Sequence, residues 1–489
     1  MLQAKSLFAE DIKKHPYLFL NIVFGFFPIS FIIGTLIVNI NLLLFCCLGI
    51  YYLKSKIITT KFDFLIKIIF LFFLAVFFST SLSLAKTIYF EGYEAANIDR
   101  FVKSILFFRF FLFLIIIYLL NKFNFLSFKY FFLTGAFASA FISIDIIYQY
   151  FFGVNIFGLA NQIEDAYYGK LTLERFATRN ASFFGDEFIA GGYIQRFAFF
   201  SIFFTILVFK NNKYVQFVSA VALICILGTG IIFSGNRMPF ASFLFGLLLI
   251  FLLNIKIKKI LFLSIITLIL LLKFIISSNA GYKNLYSSFY GKVKNVITAP
   301  FKNSEDIFLY RVIENSKINE KNPVKQKTTF TAVKFQSPQK RLFLTAIDTW
   351  KLNKIFGNGI KSFRVDCGKI DQDDVNITED LIPGKKQRLC SNHPHNYYLE
   401  ILTEMGVVGL IIIFVIAMLF IIFVFRNFKL FKQISFNNFL LLSATISLIL
   451  EVQPFKTSGS LFTTNNATYI ILIGSIILSY KTILKIKVK

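Results

Sequence analysis

The chain is poor in acid and in the residue types that build metal and redox sites. Its 489 residues include three histidines, five cysteines, one tryptophan and 26 acidic residues against 52 basic ones. No set of Cys, His, Asp and Glu shows ligand spacing, so neither a metal nor another cofactor is expected. The sequence also lacks an internal repeat and a low-complexity linker. Many transporters are built from paired repeats with interrupted spans, and the absence of these weighs against a polysaccharide or lipid flippase. The first apolar run, Tyr17 to Val38, has no small-residue cleavage site and is followed by many similar runs. It reads as a retained span rather than a signal peptide.

What the chain has in quantity is phenylalanine, 67 residues of it, and a mean hydropathy of +0.68. That composition belongs to a polytopic membrane protein. About twelve spans are expected, near 17–34, 36–53, 64–84, 104–120, 128–152, 188–209, 214–233, 238–253, 258–277, 405–425, 437–453 and 462–480. Each approaches the ~20 residues that cross a bilayer. A net charge of +26 would suit nucleic acid, but its placement favours membrane topology and no nucleic-acid partner. Lys54, Lys56, Lys61, Lys122, Lys129, Lys210, Lys213, Lys256, Lys258, Lys259, Arg426, Lys429 and Lys432 crowd alternate short loops that hold almost no acid. The intervening loops carry Glu91, Glu94, Asp99, Glu164, Asp165, Glu174, Asp186 and Glu187. The positive-inside rule then puts both termini in the cytoplasm. Three segments are left outside, near 153–187, 234–237 and 278–404. The expected organisation is all-α: helices 1–9 over 1–277, a large and mainly helical outer loop over 278–404, and helices 10–12 over 405–489. A helix is expected from Gln339 to Asn353, and an exposed segment from Lys317 to Lys340.

The motifs that carry chemistry gather outside. His393-Pro394-His395-Asn396 precedes the tenth span. Pro394 suits a first helical turn, with His393 as its cap and His395 at the second position. The positive end of a helix dipole disfavours imidazolium there, and a neutral imidazole is what a general base requires. The plain alternative is a loop histidine with no role. Arg237, in Ser234-Gly235-Asn236-Arg237, either grips a lipid-linked phosphate bidentately or snorkels at the interface. Arg179, in Arg179-Asn180-Ala181-Ser182-Phe183-Phe184-Gly185, and nearby Arg175 and Arg196 are acceptor or phosphate contacts, or Arg196 pairs with Glu187 or another intramembrane group. Arg341 and Arg311 either reach the membrane surface or are simply solvated. Lys456 to Ala467 is polar for the start of a span and either lines a cavity or caps a helix. Cys46, Cys47 and Cys225 lie in spans. Cys367 and Cys390 either pair, if that side is a bacterial periplasm, or are two thiols.

The order His395-Asn396, nine residues, then Gly406-x-x-Gly409 resembles the motif of the O-antigen ligase and polymerase superfamily. The Arg-Asn-Ala-Ser-Phe-Phe-Gly loop, the Ser-Gly-Asn-Arg turn, Phe356-Gly357-Asn358-Gly359 and the stretch Ser458 to Thr468 are similar to segments of that family, in the same order. The resemblance covers about residues 175–480. It implies a GT-C-like, metal-independent glycosyltransferase of the bacterial inner membrane with a periplasmic site. Its partners would be an undecaprenyl-pyrophosphate-linked glycan, membrane lipids, and either a lipid A–core acceptor (ligase) or a growing glycan (polymerase). The family's histidine maps onto His395 and its turn arginine onto Arg237. Its outer-loop arginine maps onto Arg341, with Arg311 as the substitute, and Asn396 and Arg179 fall in matched motifs. The Gly-Asn-Arg turn departs from the family's more usual Ser-Arg, and the spacing from Arg341 to the Gly-Asn-Gly turn is not the common one.

Overall fold

The computed structural model describes residues 17–159, 179–185, 187–253, 255–298, 305–313, 328–336, 338–370, 388–457 and 459–487. Each of the twelve apolar stretches falls on helix. The first is split into α1 (Leu18–Gly25) and α2 (Phe27–Ile33), and α3 (Thr35–Leu53) follows across Gly34. Then come α4 (Phe64–Glu91), α5 (Ile98–Lys122), α6 (Lys129–Phe152), α7 (Ala190–Val208), α8 (Lys213–Phe233), α9 (Arg237–Leu253) and α10 (Lys258–Ser278). The loop segment holds α11 (Ala280–Thr298), β1 (Glu305–Ile313), β2 (Thr328–Gln336) and α12 (Pro338–Lys351). The chain closes with α13 (Tyr397–Arg426), α14 (Phe436–Val452) and α15 (Thr464–Lys487). Among the described residues eight helices are long and apolar enough to cross a membrane: α3 to α8, α10 and α13. The protein is an all-helical integral membrane type with one small hairpin in its loop.

Phenylalanine fills the helix interfaces. Phe24, Phe27, Phe45, Phe113, Phe131 and Phe197 are fully buried and meet at tilted or edge-on angles, as in Phe27–Phe113 at 5.0 Å and Phe24–Phe45 at 5.3 Å. Lipid is as apolar as these rings, so packing and hydrogen bonds rather than the hydrophobic effect hold helix to helix. Ser139 and Ser201 supply such a bond between α6 and α7, Oγ to Oγ at 2.8 Å.

The hairpin was not anticipated from sequence. β1 and β2 pair antiparallel, with Glu305 opposite Gln336 and Ile313 opposite Thr328. Arg311 lies in β1 opposite Phe330. The expected Lys317–Lys340 segment thus includes a strand, rich in the β-branched and aromatic residues that suit one; its stretch 317–327 lies outside the described residues, as do 314–316, Arg175 and 371–387.

α13 is broken at Gly406, whose φ of 65° and ψ of −161° are not helical. A broken helix leaves N–H and C=O groups without partners, and here a turn from the loop supplies them. Val407 N–H donates to the Lys354 carbonyl at 3.0 Å and Val408 N–H to that of Ile355 at 3.2 Å. In return Asn358 N–H donates to Thr403 O at 3.0 Å and Gly359 N–H to Glu404 O at 2.9 Å. Only glycine permits the approach: a Cβ on Gly406 would lie 2.3 Å from Ile355 O, and one on Gly357 (φ 72°) 2.4 Å from the Glu404 carbonyl carbon. Backbone strain alone costs about 1–3 kcal/mol at such a position. Gly406→Ala should therefore lower the thermal midpoint of the purified protein clearly. Gly474→Ala, with nothing within 4 Å of the added carbon, should not. Equal midpoints for the two variants would count against the clasp.

Candidate active site

The histidine segment is built from α12 outward. Arg341 Nη2 donates to the Arg388 carbonyl at 3.1 Å, Leu389 N–H donates to Thr345 Oγ1 at 3.0 Å, and Arg388 pairs with Asp348 at 2.6 Å. Cys390 is joined to Cys367 by a disulfide, Cα to Cα 5.5 Å. Arg341 therefore holds the backbone that leads to the histidines.

The helix start differs from the sequence reading. α13 begins at Tyr397, not at Pro394, and its cap is Asn396, not His393. The Asn396 Oδ1 accepts from Tyr398 N–H at 3.0 Å and Leu399 N–H at 3.2 Å, and its Nδ2 donates to Pro454 O at 2.8 Å. Asparagine is among the strongest caps, which outweighs the preference of proline for a first turn. Asn396 is thus a structural fastening. His395 stands one residue before the cap, exposed, in the left-handed region at φ 53°. Its ring meets that of His393 edge-on, centroids 4.2 Å apart. His393 is half-buried with an Nε2 that has no partner, and burial, then His395 and Arg364, bring its pKa down to about 4.

Carboxylates fasten the layer below. Arg196 forks onto Glu451, Nε to Oε2 at 3.0 Å and Nη2 to Oε1 at 2.7 Å, and also reaches Asn466 Oδ1 at 2.7 Å. Lys456 and the Tyr397 hydroxyl complete the shell of Glu451 at 2.7 and 2.8 Å. Glu451 is thus the intramembrane partner that the sequence left open for Arg196. Glu400 accepts from Ser460 Oγ at 2.5 Å and Leu461 N–H at 2.6 Å; Glu404 accepts from Lys361 N–H at 2.6 Å. Both are about 1% exposed. Glu400, Glu404, Lys361, Arg364 and Glu451 were not picked out from sequence, although two acids one turn apart at the start of an apolar helix are a readable sign.

Arg179 and Arg237 belong to a second patch. Asp145, buried in α6, accepts from Ile156 N–H at 2.8 Å and from the Ser182 hydroxyl, and Gln149 accepts from Ser182 N–H at 2.8 Å. The Arg179–Gly185 segment is so fixed. Asn180 Nδ2 donates to Phe233 O at 2.8 Å and Asn236 Nδ2 to Phe188 O at 3.0 Å, which ties that segment to the Ser-Gly-Asn-Arg turn. Arg179 lies 5.8 Å from the Phe188 ring centre. Arg237 donates to Leu285 O at 3.4 Å and lies 6.0 Å from the Phe289 ring, so α11 covers the turn. The two patches are bridged where Gln453, beside Pro454, donates to Ser242 of α9 at 2.9 Å.

An apolar trench of about 690 Å³ runs along α13. Tyr397 and Tyr398 line one end, Arg426 and Asn427 the other, and α4, α5, α14 and α15 form its walls, with Phe73, Phe107, Leu461 and Ala467 among them. Among the described residues no group of three His, Cys, Asp or Glu could hold a metal ion.

Fold and site together define a multi-pass membrane protein whose polar motifs gather at one end of its helix bundle, above a lipid-sized trench. Residues 220–414 match a family model described as O-antigen ligase, which supports the O-antigen ligase and polymerase superfamily already suggested by the motifs. That family is of glycosyltransferase-like enzymes acting on glycan and lipid substrates in the membrane. No curated protein matches the chain.

The His393 environment sets a pH dependence. Above neutral pH the folded and unfolded chains both carry a neutral ring. As pH falls from 6.5 toward 4 the unfolded chain alone takes up the proton, so folding stability should fall through that window. His393→Gln should flatten the drop in thermal midpoint between pH 7 and pH 4. An unchanged slope would mean that His393 is not held neutral.

Proposed function

We propose that the chain is an O-antigen ligase-like glycosyltransferase of the bacterial inner membrane. It moves a glycan from an undecaprenyl-pyrophosphate carrier to a lipid A–core hydroxyl at the periplasmic face, both termini being cytoplasmic. The observation that carries this reading is the trench. It follows α13, whose part beyond the Gly406 break runs to Arg426 and covers about 30 Å at ~1.5 Å per residue, the depth of the ~30 Å hydrocarbon core. A single long isoprenoid suits such a path better than an acyl chain that ends at mid-bilayer. The trench opens at Tyr397 and Tyr398, directly after the exposed His395.

In the reaction the acceptor oxygen bonds to the anomeric carbon as the bond from that carbon to the diphosphate oxygen breaks, which inverts the centre. His395 takes the hydroxyl proton. The leaving diphosphate gathers charge, and Arg237, with Arg179 in the same patch, offsets it. Arg341 contributes through the loop backbone it holds, and Arg311 is the substitute outer-loop arginine.

In liposomes holding lipid-linked donor and acceptor, His395→Ala and Arg237→Ala should each lower transfer by about 100-fold or more with the protein still in the membrane. Near-normal transfer by His395→Ala would defeat the assignment. Ile471→Trp, narrowing the trench, should slow a long-chain donor more than a short-chain one. A deletion strain separates ligase from polymerase: loss of ligation leaves lipid-linked polymer and bare core, whereas loss of polymerisation leaves single-unit caps.

A further inference from the structure

The turn that closes the break in α13 carries apolar side chains that the closure itself does not use. α4 shows the depth at which they sit. Its 28 residues, Phe64–Glu91, cover about 42 Å at ~1.5 Å per residue, more than the ~30 Å hydrocarbon core. Lys61 and Asp63 precede Phe64 and mark one surface. Counted from there, the core ends about twenty residues on, near Leu84. Above this level Lys86 Nζ donates to Asn353 Oδ1 at 2.5 Å. Below it Thr80 Oγ1 accepts from Ile360 N–H at 3.0 Å, and the Phe78 ring meets that of Phe356 edge-on, centroids 5.4 Å apart. The chain from Asn353 to Ile360 therefore runs along α4 from the headgroup level into the apolar layer.

Its exposed side chains match that placement. Leu352, Ile355 and Phe356 are between 40% and 60% exposed. Phe78, which touches Phe356, and Val407, whose N–H bonds the Lys354 carbonyl, are exposed as well. None of these five lines the trench. A contiguous exposed apolar patch marks an interaction surface. Basic side chains belong to the same stretch, for Lys86, Lys351 and Lys354 are all exposed. Asp348 pairs with Lys351 at 2.7 Å and with Arg388 at 2.6 Å, and Lys86 and Lys354 add to the positive side. Trp350, the chain's only tryptophan, donates its Nε1–H to the Lys354 carbonyl at 2.9 Å. Tryptophan favours the headgroup level of a bilayer.

We propose that the end of α12 and the turn after it form a site for an anionic phospholipid. One acyl chain lies against Leu352, Ile355 and Phe356, and the headgroup phosphate is met by Lys86, Lys351 and Lys354. Charge selects the headgroup: basic side chains near the surface attract a net anionic lipid and gain little from a zwitterionic one. The Lys354 and Ile355 carbonyls receive the Val407 and Val408 N–H groups, so a lipid bound here holds the closure of α13 and, through α12, the histidine segment. The site is separate from the trench and does not rest on the identity of the glycan donor.

Trp350 makes the chain its own probe. The purified full-length protein is placed in phosphatidylcholine bilayers to which a phospholipid brominated in the upper part of one acyl chain is added; bromine quenches tryptophan on contact. Brominated phosphatidylglycerol should half-quench Trp350 at a mole fraction about fivefold or more below that of brominated phosphatidylcholine. The triple variant Lys86→Gln, Lys351→Gln, Lys354→Gln should lose that preference while both lipids still quench. Should the triple variant fail to reconstitute, Lys354→Gln alone should reduce the preference about twofold or more. Lys429→Gln, beyond the far end of α13, should leave it unchanged. A Trp350 that neither lipid quenches overturns the placement of the turn in the bilayer, and the site with it. Equal quenching by the two lipids in wild type overturns the anionic selectivity. A preference that persists in the lysine variants, or that Lys429→Gln abolishes as fully as they do, overturns the assignment of the headgroup to these lysines.

Discussion

The exchange of backbone hydrogen bonds between the 354–359 turn and the break in α13 is the constraint on which the site depends. It joins the loop to the bundle through main chain rather than side chains, so its geometry is nearly insensitive to side-chain rotamer choice. Four N–H groups find carbonyls across the break. Left unpaired in an apolar setting, each would cost about 1–3 kcal/mol. The exchange also sets the angle between the two parts of α13. The part before Gly406 carries the Asn396 cap, Glu400 and Glu404 and lines the trench with Tyr397, Tyr398 and Ile401; the part after it lines the trench from Ile413 to Arg426. Glu404 works on both sides of this junction, since its carbonyl takes the Gly359 N–H and its carboxylate the Lys361 N–H. Ser79 and Thr80 of α4 bond to Glu404 O and Ile360 N–H, so the clasp is held from a third element as well.

Much of this was legible in the sequence, and the limits have physical causes. Each of the twelve apolar stretches falls on helix, the first on two, because an apolar medium leaves the backbone no other partner. The Gln339–Asn353 helix was read within two residues of α12. The pairing of Arg196 with Glu451 was not legible, because the two are 255 positions apart and nothing local distinguishes Glu451 from any other acid. The start of α13 was misread for a different reason. His-Pro-His-Asn offers two competing helix starts, and tertiary contacts from Pro454 and Val452 favour the later one. The hairpin is hard to read because the Lys-rich character of the segment predicts a solvated loop, although Thr328–Gln336 is rich in β-branched and aromatic residues.

Charge in this bundle is compensated in more than one way. Arg196, Lys456 and Glu451 gather in a network whose members share hydrogen bonds with Tyr397 and Asn466. Such a network is a poor source of stability relative to an apolar packing of the same volume, because desolvation offsets the attraction. Its better-attested use is to fix register. Here it ties α7, α13, α14 and α15 together directly beneath the histidine segment. Among the described residues no carboxylate pairs with Arg109, which donates to Thr464 Oγ1. The same bundle that surrounds one arginine with an acid, an amide and a phenol leaves the other with a single hydroxyl, a contrast that packing alone does not explain.

The placement of His395 before a helix cap, rather than inside a helix, has a consequence for the proposed reaction. A residue within the first turn would direct its ring along the helix surface and compete with the backbone for the free N–H groups. In the left-handed conformation ahead of Asn396, the ring is presented to solvent while the backbone on both sides is fixed, by the Cys367–Cys390 link and α12 before it and by the Asn396–Pro454 bond after it. The trench begins at Tyr397 and Tyr398, two and three positions later. The proposed base and the mouth of the trench are therefore set by the same few residues of main chain. A donor whose tail fills the trench would present its sugar at a distance from His395 determined by the fold, and the acceptor hydroxyl would need to be delivered only to the exposed side of the ring.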